Sequence, residues 1–317
     1  MSAELIVGED AEGKTLAAFL RAELGELSWN QAKRLCTTGK VHLDGERSLD
    51  PAVRLEAGSR VQVDWRAPKP RGGVLEPERL VHVDRDVVVV RKPAGTLSIP
   101  YDPRDRDTLI DQTRALLRRR DRRKGGHRYD PELGIVHRLD KGTSGLLVFT
   151  RTVAAKRALA QQFRKHTVER VYLAIVHGHT ESATHESWLV PNRGDGLRGS
   201  WGVFLPARGK RPTEARRAVT HVDVVEHLPG ATLVECRLET GRQHQIRIHM
   251  SEDAHPLVGE DVYIRDYEGE PIDAPRPMLH ARTLGFEHPR TGEQLRFDDP
   301  PPQDFETVLR ALRAQRA

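Results

Sequence analysis

Cysteine is almost missing from this chain of 317 residues: Cys36 and Cys236 are the two present, 200 positions apart. They can build neither a disulfide framework nor a cysteine-based zinc site. Long apolar runs are missing as well. Stretches such as Val87–Val90 fall far short of the ~20 residues that a membrane-spanning helix needs. No export signal is visible, because Glu4, Glu9, Asp10 and Glu12 stand where such a signal is cationic and then apolar. A soluble cytoplasmic protein without membrane contact is therefore expected. A Walker loop, a dinucleotide fingerprint and an H-E-x-x-H helix are all absent, which removes the usual motifs of nucleotide enzymes and zinc hydrolases. Nor does one sign of charge dominate. Lys and Arg number 51 against 46 Asp and Glu, a net of +5, so long acidic or basic tails are excluded.

What charge excess exists is local. Residues 1–66 carry 9 basic and 11 acidic side chains, whereas residues 114–128, RALLRRRDRRKGGHR, carry 8 basic and 1 acidic. The second run, with Arg118, Arg119, Arg120, Arg122 and Arg123 at its centre, has the pattern of a phosphate-contacting patch, or equally of a solvated charge run. The length fits about two domains at ~100–200 residues each, and composition places the boundary. Residues 67–73 read APKPRGG, a poor core segment and a good linker. The expected division is thus residues 1–66, a linker at 67–79 and a larger domain at 80–317.

In the first domain Leu16, Phe19, Leu20 and Leu24 fall at helical spacing, which predicts a helix over 14–24. Ser28-Trp29-Asn30-Gln31 has the form of a capping box opening a second helix, and Gly39 is placed to end it. Val41–Leu43 with Asp44-Gly45 reads as a strand and turn, and Val61–Val63 as a closing strand. In the larger domain, Leu80–Asp84 and Asp86–Lys92 read as a hairpin whose second strand is deeply buried. Helical character over Thr108–Arg119 and Val153–His166 alternates with strand or short-helix candidates at Gly145–Thr150, Val168–Val176, Thr232–Leu238 and Gln245–Met250. Without a regular βαβ rhythm, an α+β domain on a mixed or antiparallel sheet is expected.

Three polar clusters can carry chemistry. In GIVHRLDKGTSGLLVFTRT, residues 134–152, Asp140 stands beside a loop with two glycines that can approach a ligand closely. Taken alone, Asp140 also reads as a turn-former that caps backbone amides. In ERVYLAIVHG, residues 169–178, Tyr172 lies among apolar neighbours, where a tyrosine is ordinarily core with its hydroxyl tied off. In LETGRQHQIRIHM, residues 238–250, Arg242, His244, Gln245, Arg247 and His249 crowd eight positions, which is costly unless they pair with each other or with a ligand. The spacing of His244 and His249 suits no usual zinc arrangement, and no metal is expected.

Together the clusters are far more specific. HRLDKGTSG resembles the catalytic signature of the RluA-type pseudouridine synthases. The chain order is similar too: Lys92-Pro93-Ala94-Gly95, the HRLD segment, a tyrosine strand ending in Gly178, then TGRQHQIRIHM. His255-Pro256-Leu257, Met278-Leu279-His280-Ala281 and Phe286-Glu287-His288-Pro289 follow. The resemblance covers about residues 80–302, and LSWNQAKRLCTTGKVHLDG resembles an S4-type RNA-binding domain, which several members of that family carry in front.

The resemblance implies isomerisation of uridine in structured RNA, most of all large-subunit ribosomal RNA. The C1′–N1 bond breaks and the uracil is rejoined through C5, with no cofactor. Asp140 is implied as the nucleophile, Tyr172 as the group that removes the C5 proton, and Arg247 as a partner paired with Asp140. Arg138 would help fill the place of the extruded base, with Arg242 and Gln245 as RNA or supporting contacts. Lys33, Arg34 and Lys40 would form a small basic face on the S4-like domain. No obligate protein partner is implied. The rival readings are a catalytically silent RNA-binding or ribosome-assembly protein, and more distantly a metal-dependent hydrolase using His244 and His249.

Overall fold

The structure, a computed structural model, describes residues 2–25, 27–48, 51, 53–67, 75–102, 105–123, 132–204 and 210–315. The chain divides into two compact units, residues 1–73 and 74–317. In the first, strand β1 (Ser2–Ile6) precedes helices α1 (Leu16–Glu23) and α2 (Trp29–Thr37). Thr15 caps α1 by accepting the Ala18 N–H, and Ser28 and Gln31 close the expected capping box on α2. Strands β2 (Val41–Leu43), β3 (Glu46–Arg47) and β4 (Arg60–Asp64) complete an antiparallel sheet of order β1-β4-β2-β3. Asp44 and Gly45 both take positive φ, 49° and 84°, as a two-residue hairpin between β2 and β3 demands. Leu16, Phe19, Leu20, Ala32, Cys36, Val41, Val61 and Val63 form the core of this unit. Lys33 and Arg34 are exposed on α2. Lys40 is half-buried and donates to the Trp65 carbonyl, so it serves the unit's own backbone.

Of the expected linker, residues 68–74 lie outside the described residues. Leu75 is buried in the core of the second unit, and Pro77–Arg79 forms a short 3-10 turn. Strands β5 (Leu80–Val83) and β6 (Val87–Lys92) then make the hairpin, and all four valines at 87–90 are fully buried. Helix α3 runs Leu109–Arg123, longer than the apolar spacing indicates, because its second half is held by charge-rich sequence that carries no hydrophobic period. There follow β7 (Gly134–Ile135), β8 (Ser144–Thr150), α4 (Val153–Lys165), β9 (Glu169–His177), β10 (Ala183–Val190), β11 (Gly199–Ser200), β12 (Arg216–Leu228) and β13 (Ala231–Leu238). The chain ends with α5 (Gln245–Glu252), β14 (Leu279–Glu287), β15 (Gln294–Asp298) and α6 (Gln303–Ala314).

Among the described residues these strands form one mixed sheet of order β11-β10-β12-β13-β9-β14-β8-β6-β5, with β15 beside β14 and β7 beside β8. The pairing of β14 with β8 is parallel and the other pairs are antiparallel. The α+β class on a mixed sheet is therefore as expected. Gly145 (φ 114°) makes the parallel contact possible, since a Cβ there would lie 2.2 Å from the Ala281 carbonyl oxygen. Strand alternation divides the core. Val88, Val90, Tyr172, Ala174 and Val234 face one side with Ile246 and Met250 of α5. Leu173, Ile175 and Leu233 face the other, covered by Phe305, Leu309 and Leu312 of α6.

Candidate active site

Asp140 sits in the turn between β7 and β8, where the Thr143 N–H donates to its carbonyl at 3.1 Å. The main chain on both sides is held by the loop that follows β6. Leu139 N–H donates to Ser98 Oγ at 3.0 Å while that hydroxyl donates to the Leu139 carbonyl at 2.7 Å. Gly95 N–H donates to the Lys141 carbonyl at 2.8 Å. Buried Lys92 donates to the carbonyls of Lys141, Thr96 and Pro93 at 3.0, 2.7 and 3.0 Å. Burial pulls this ammonium down to about 7, although the Asp140 charge opposes the fall. The segment before Asp140 is tied as well: His137 Nε2 accepts the Val148 N–H at 3.0 Å and its ring stacks on Phe163 at 4.7 Å.

The Asp140 carboxylate is handled differently. Among the described residues no hydrogen bond reaches it, so it is not a backbone-capping turn-former. The side chain placed against it is the His244 imidazole, whose Nε2 is 3.8 Å from Asp140 Oδ1. His244 takes φ 59° at the start of α5, and its Nδ1 shares a hydrogen bond of 2.7 Å with the Tyr263 hydroxyl. Burial lowers the pKa of His244, with the Asp140 charge working the other way.

Tyr172 and Arg170 are two residues apart on β9 and so share a face of the sheet. Tyr172 is 8% exposed and pushed up to about 12, mainly by burial, with Arg170 opposing the rise and Asp140 adding to it. Arg170 donates to the carbonyls of Leu238 and Glu239 at 3.2 and 2.7 Å. A cleft of about 560 Å³ brings together seven of the residues singled out in the sequence: Arg138, Asp140, Tyr172, Arg242, His244, Gln245 and Arg247. Arg164, His166 and Arg170 also line it. Arg170 was legible from the two-residue period of the tyrosine strand, whereas nothing local pointed to the end of α4.

One expectation needs correction and another is narrowed. Arg247 does not pair with Asp140. Its Nε and Nη2 donate to Glu260 at 2.8 and 2.5 Å, and Nη2 also reaches Asp261 at 3.2 Å. Glu260 follows seven residues of loop after α5 and is fully buried at its side chain, so it claims the fork. Burial opposes the charge on Arg247, yet the hydrogen bond and charge of Glu260, then the charge of Asp140, raise its pKa. Gln245, expected as an RNA or a supporting contact, has its amide engaged wholly within the protein, which is the supporting alternative. It is 2% exposed, its amide donates to the Val219 carbonyl and Thr220 Oγ1, and its oxygen accepts from Thr240 Oγ1 and Arg242 N–H. These bonds satisfy the whole group, which pins the Thr240–Arg242 loop to β12.

Arg242 is half-buried and donates to the Arg217 carbonyl at 3.0 Å, and Arg138 is exposed at the rim. Arg118 and Arg119 are exposed and Arg120 half-buried on α3, away from the residues that line the cleft. The side chains of Arg122 and Arg123, and residues 124–130, lie outside the described residues. His249 bonds Thr220 Oγ1 and Ser187 Oγ at 2.9 and 3.0 Å. Among the described residues neither it nor His244 belongs to a group of three metal-ligating side chains.

The Asp140 carboxylate and the buried Tyr172 thus line one cleft together with several cationic side chains. Residues 86–252 match the model of the RNA pseudouridylate synthase family, and the chain belongs to that family, a group of isomerases. The Ribosomal large subunit pseudouridine synthase D of Zymomonas mobilis subsp. mobilis is 35% identical to it, over 98% of this chain and 97% of that one. An Uncharacterized RNA pseudouridine synthase, YlyB, of Bacillus subtilis is 33% identical over 98% of each chain. Among solved structures, Human RNA Pseudouridylate Synthase Domain Containing 4 shares the fold, with a TM-score of 0.57, 23% identity, and coverage of 74% of this chain and 93% of that one. Among the described residues no helix is long and apolar enough to cross a membrane.

Proposed function

We propose that this protein converts specific uridines of large-subunit ribosomal RNA to pseudouridine in the cytoplasm, with Asp140 as the nucleophile. The observation that carries the reading is the Asp140 carboxylate, which faces the cleft without a hydrogen bond while its backbone is tied on both sides. A carboxylate so placed is free to attack and already oriented. The relatives named as large-subunit synthases support the choice of RNA.

In this reading the uridine is extruded from its stack, and Arg138 at the rim helps fill the vacated place. Asp140 attacks C1′ as the C1′–N1 bond breaks, the uracil turns until C5 faces C1′, and C5 then displaces the Asp140 oxygen from C1′. Tyr172, against the uracil, relays the C5 proton after the new bond forms: its phenol oxygen accepts that proton as its own hydroxyl proton passes through solvent to N1, which the broken bond left anionic. Burial disfavours its phenolate, and Arg170 on the same face opposes that rise only in part, so the hydroxyl keeps its proton until the relay. Arg247, anchored by Glu260, adds positive potential near Asp140 without sequestering it. Arg242 contacts RNA at the cleft edge. The unit at residues 1–66 acts as an S4-like RNA-binding domain through Lys33 and Arg34 on α2. No metal or redox cofactor is needed, since substrate and product are isomers.

The test is Asp140→Asn and Asp140→Ala, assayed by pseudouridine mapping in ribosomal RNA and by RNA binding. Turnover is expected to fall on the order of 10⁴-fold or more, with binding retained because the cations of the cleft remain. Substantial turnover by either variant would make Asp140 structural.

A further inference from the structure

Among the described residues no hydrogen bond reaches the Asp140 carboxylate, and His244 Nε2 stands 3.8 Å from it, so its position is set chiefly by its backbone. The two carbonyls that follow it, those of Lys141 and Gly142, are each gripped by a buried cation. Lys92 takes the first. Arg276, outside the segment matched by the family model and 8% exposed at its side chain, takes the second at 3.1 Å. The same Nη1 donates to the carbonyls of Pro277 and Leu279 at 3.2 and 3.0 Å, and Nη2 reaches Ser144 Oγ at 3.3 Å. On its far edge the guanidinium makes a bidentate pair with Asp304, at 2.6 and 3.1 Å. Asp304 lies in the first turn of α6, next to Phe305, and Phe305, Leu309 and Leu312 pack behind Leu173 and Ile175 of β9. One helix therefore supports both halves of the site: the back of the strand that carries Tyr172 and, through Arg276, the turn that carries Asp140.

We propose that Arg276 and Asp304 are positioning residues for pseudouridine formation, a brace through which α6 sets the place of the Asp140 turn relative to Tyr172. The proposal rests on the nucleophile reading of Asp140. The guanidinium is suited to the task because it offers five donors in a rigid fork, enough to join a carboxylate to several carbonyls at once. A lysine cannot join the same set. A displacement of the turn by about 1 Å is enough to cost on the order of 10²-fold in rate.

The experiment is single-turnover pseudouridine formation on a folded RNA fragment with enzyme in excess, reading rate constant and amplitude separately, together with the Kd for the same RNA. Asp304→Asn, Arg276→Lys and Arg276→Gln are compared with wild type and with Asp140→Asn. The expected result is a rate constant reduced ~10-fold in Asp304→Asn and ~10²-fold in Arg276→Gln, with full amplitude and Kd within about twofold of wild type. Arg276→Lys should stay slow, because charge without the fork does not restore the geometry. A merely structural role would lower amplitude and leave the rate constant of the folded fraction unchanged, and that result overturns the proposal. If the Arg276 variants do not fold, Asp304→Asn decides: it is isosteric, on a side chain 36% exposed, and a rate within twofold of wild type overturns the brace. Fast turnover by Asp140→Asn would instead overturn the nucleophile reading.

Discussion

Glu260→Gln tests how the site holds its buried arginine. The Glu260 side chain is 0% exposed and that of Arg247 10%. One carboxylate oxygen accepts Arg247 Nη2 and the N–H groups of Val262 and Tyr263, and the other accepts Arg247 Nε at 2.8 Å. Glutamine fits the space but carries one acceptor oxygen, so its NH₂ must face a donor on one side or the other. It also leaves the guanidinium without its buried counter-charge. Breaking a buried pair by removing one partner costs about 3–5 kcal/mol. The lower end applies, because Asp261 at 3.2 Å and the nearby Asp140 retain part of the compensation. About 3 kcal/mol corresponds to a fall of roughly 6–12 °C in the Tm of a unit of this size. Calorimetry on the whole chain reads it in the transition of residues 74–317. Asp261→Asn is the control: its side chain is 76% exposed, and a surface partner contributes about 0–1 kcal/mol. A Glu260→Gln shift below about 2 °C would show that the pair is not what holds Arg247, and the placement of the guanidinium would need another cause.

Three further outcomes follow from the chemistry and the charge distribution. Activity on a short stem-loop, its folding verified separately, should be unchanged in excess EDTA with no nucleotide added; loss on chelation and recovery with zinc would revive the hydrolase reading of His244 and His249. Replacing Arg118, Arg119 and Arg120 by Ala should flatten log K against log salt by up to about 2–3 units if all three meet phosphates. Lys33→Ala with Arg34→Ala should flatten it less, and the reverse order in a salt series would make the N-terminal unit the main anchor. His249, lowered to about 4 chiefly by burial with His185 adding to it, is neutral when folded but takes up a proton below about 6.5 when unfolded. Its contribution to stability is therefore present above pH 6.5 and lost as pH falls toward 4, so His249→Gln should show a shallower loss of Tm between pH 6.5 and 4.5 than wild type.

Local signals carried much of the molecule. The capping box at Ser28, the Asp44-Gly45 hairpin and the buried valines of β6 each depend on contacts within a few residues, so periodicity and turn chemistry were enough to place them. Asp140 and Tyr172 are a different case: taken alone they read as a turn-former and a core tyrosine, and it was the family resemblance of the ordered segments that singled them out. Elements whose apolar period is interrupted were not legible. In β12 a bulge near Val224 and Glu226 shifts the register of a strand rich in charge. The period of α6 is intact, with Phe305, Val308, Leu309 and Leu312 on one face, but its purpose shows only through the back of β9 and through Asp304. Which partner Arg247 takes was equally beyond the reach of sequence: Asp140 and Glu260 are both carboxylates, and the choice falls to the loop that buries Glu260 against α5. Residue chemistry and local spacing determined which groups are available. The tertiary structure decided which are bonded and which are left free, because a hydrogen bond depends on distances of a few tenths of an ångström between segments far apart in the chain. Among the described residues Asp140 is left without a hydrogen bond to its carboxylate, with only His244 set against it at 3.8 Å.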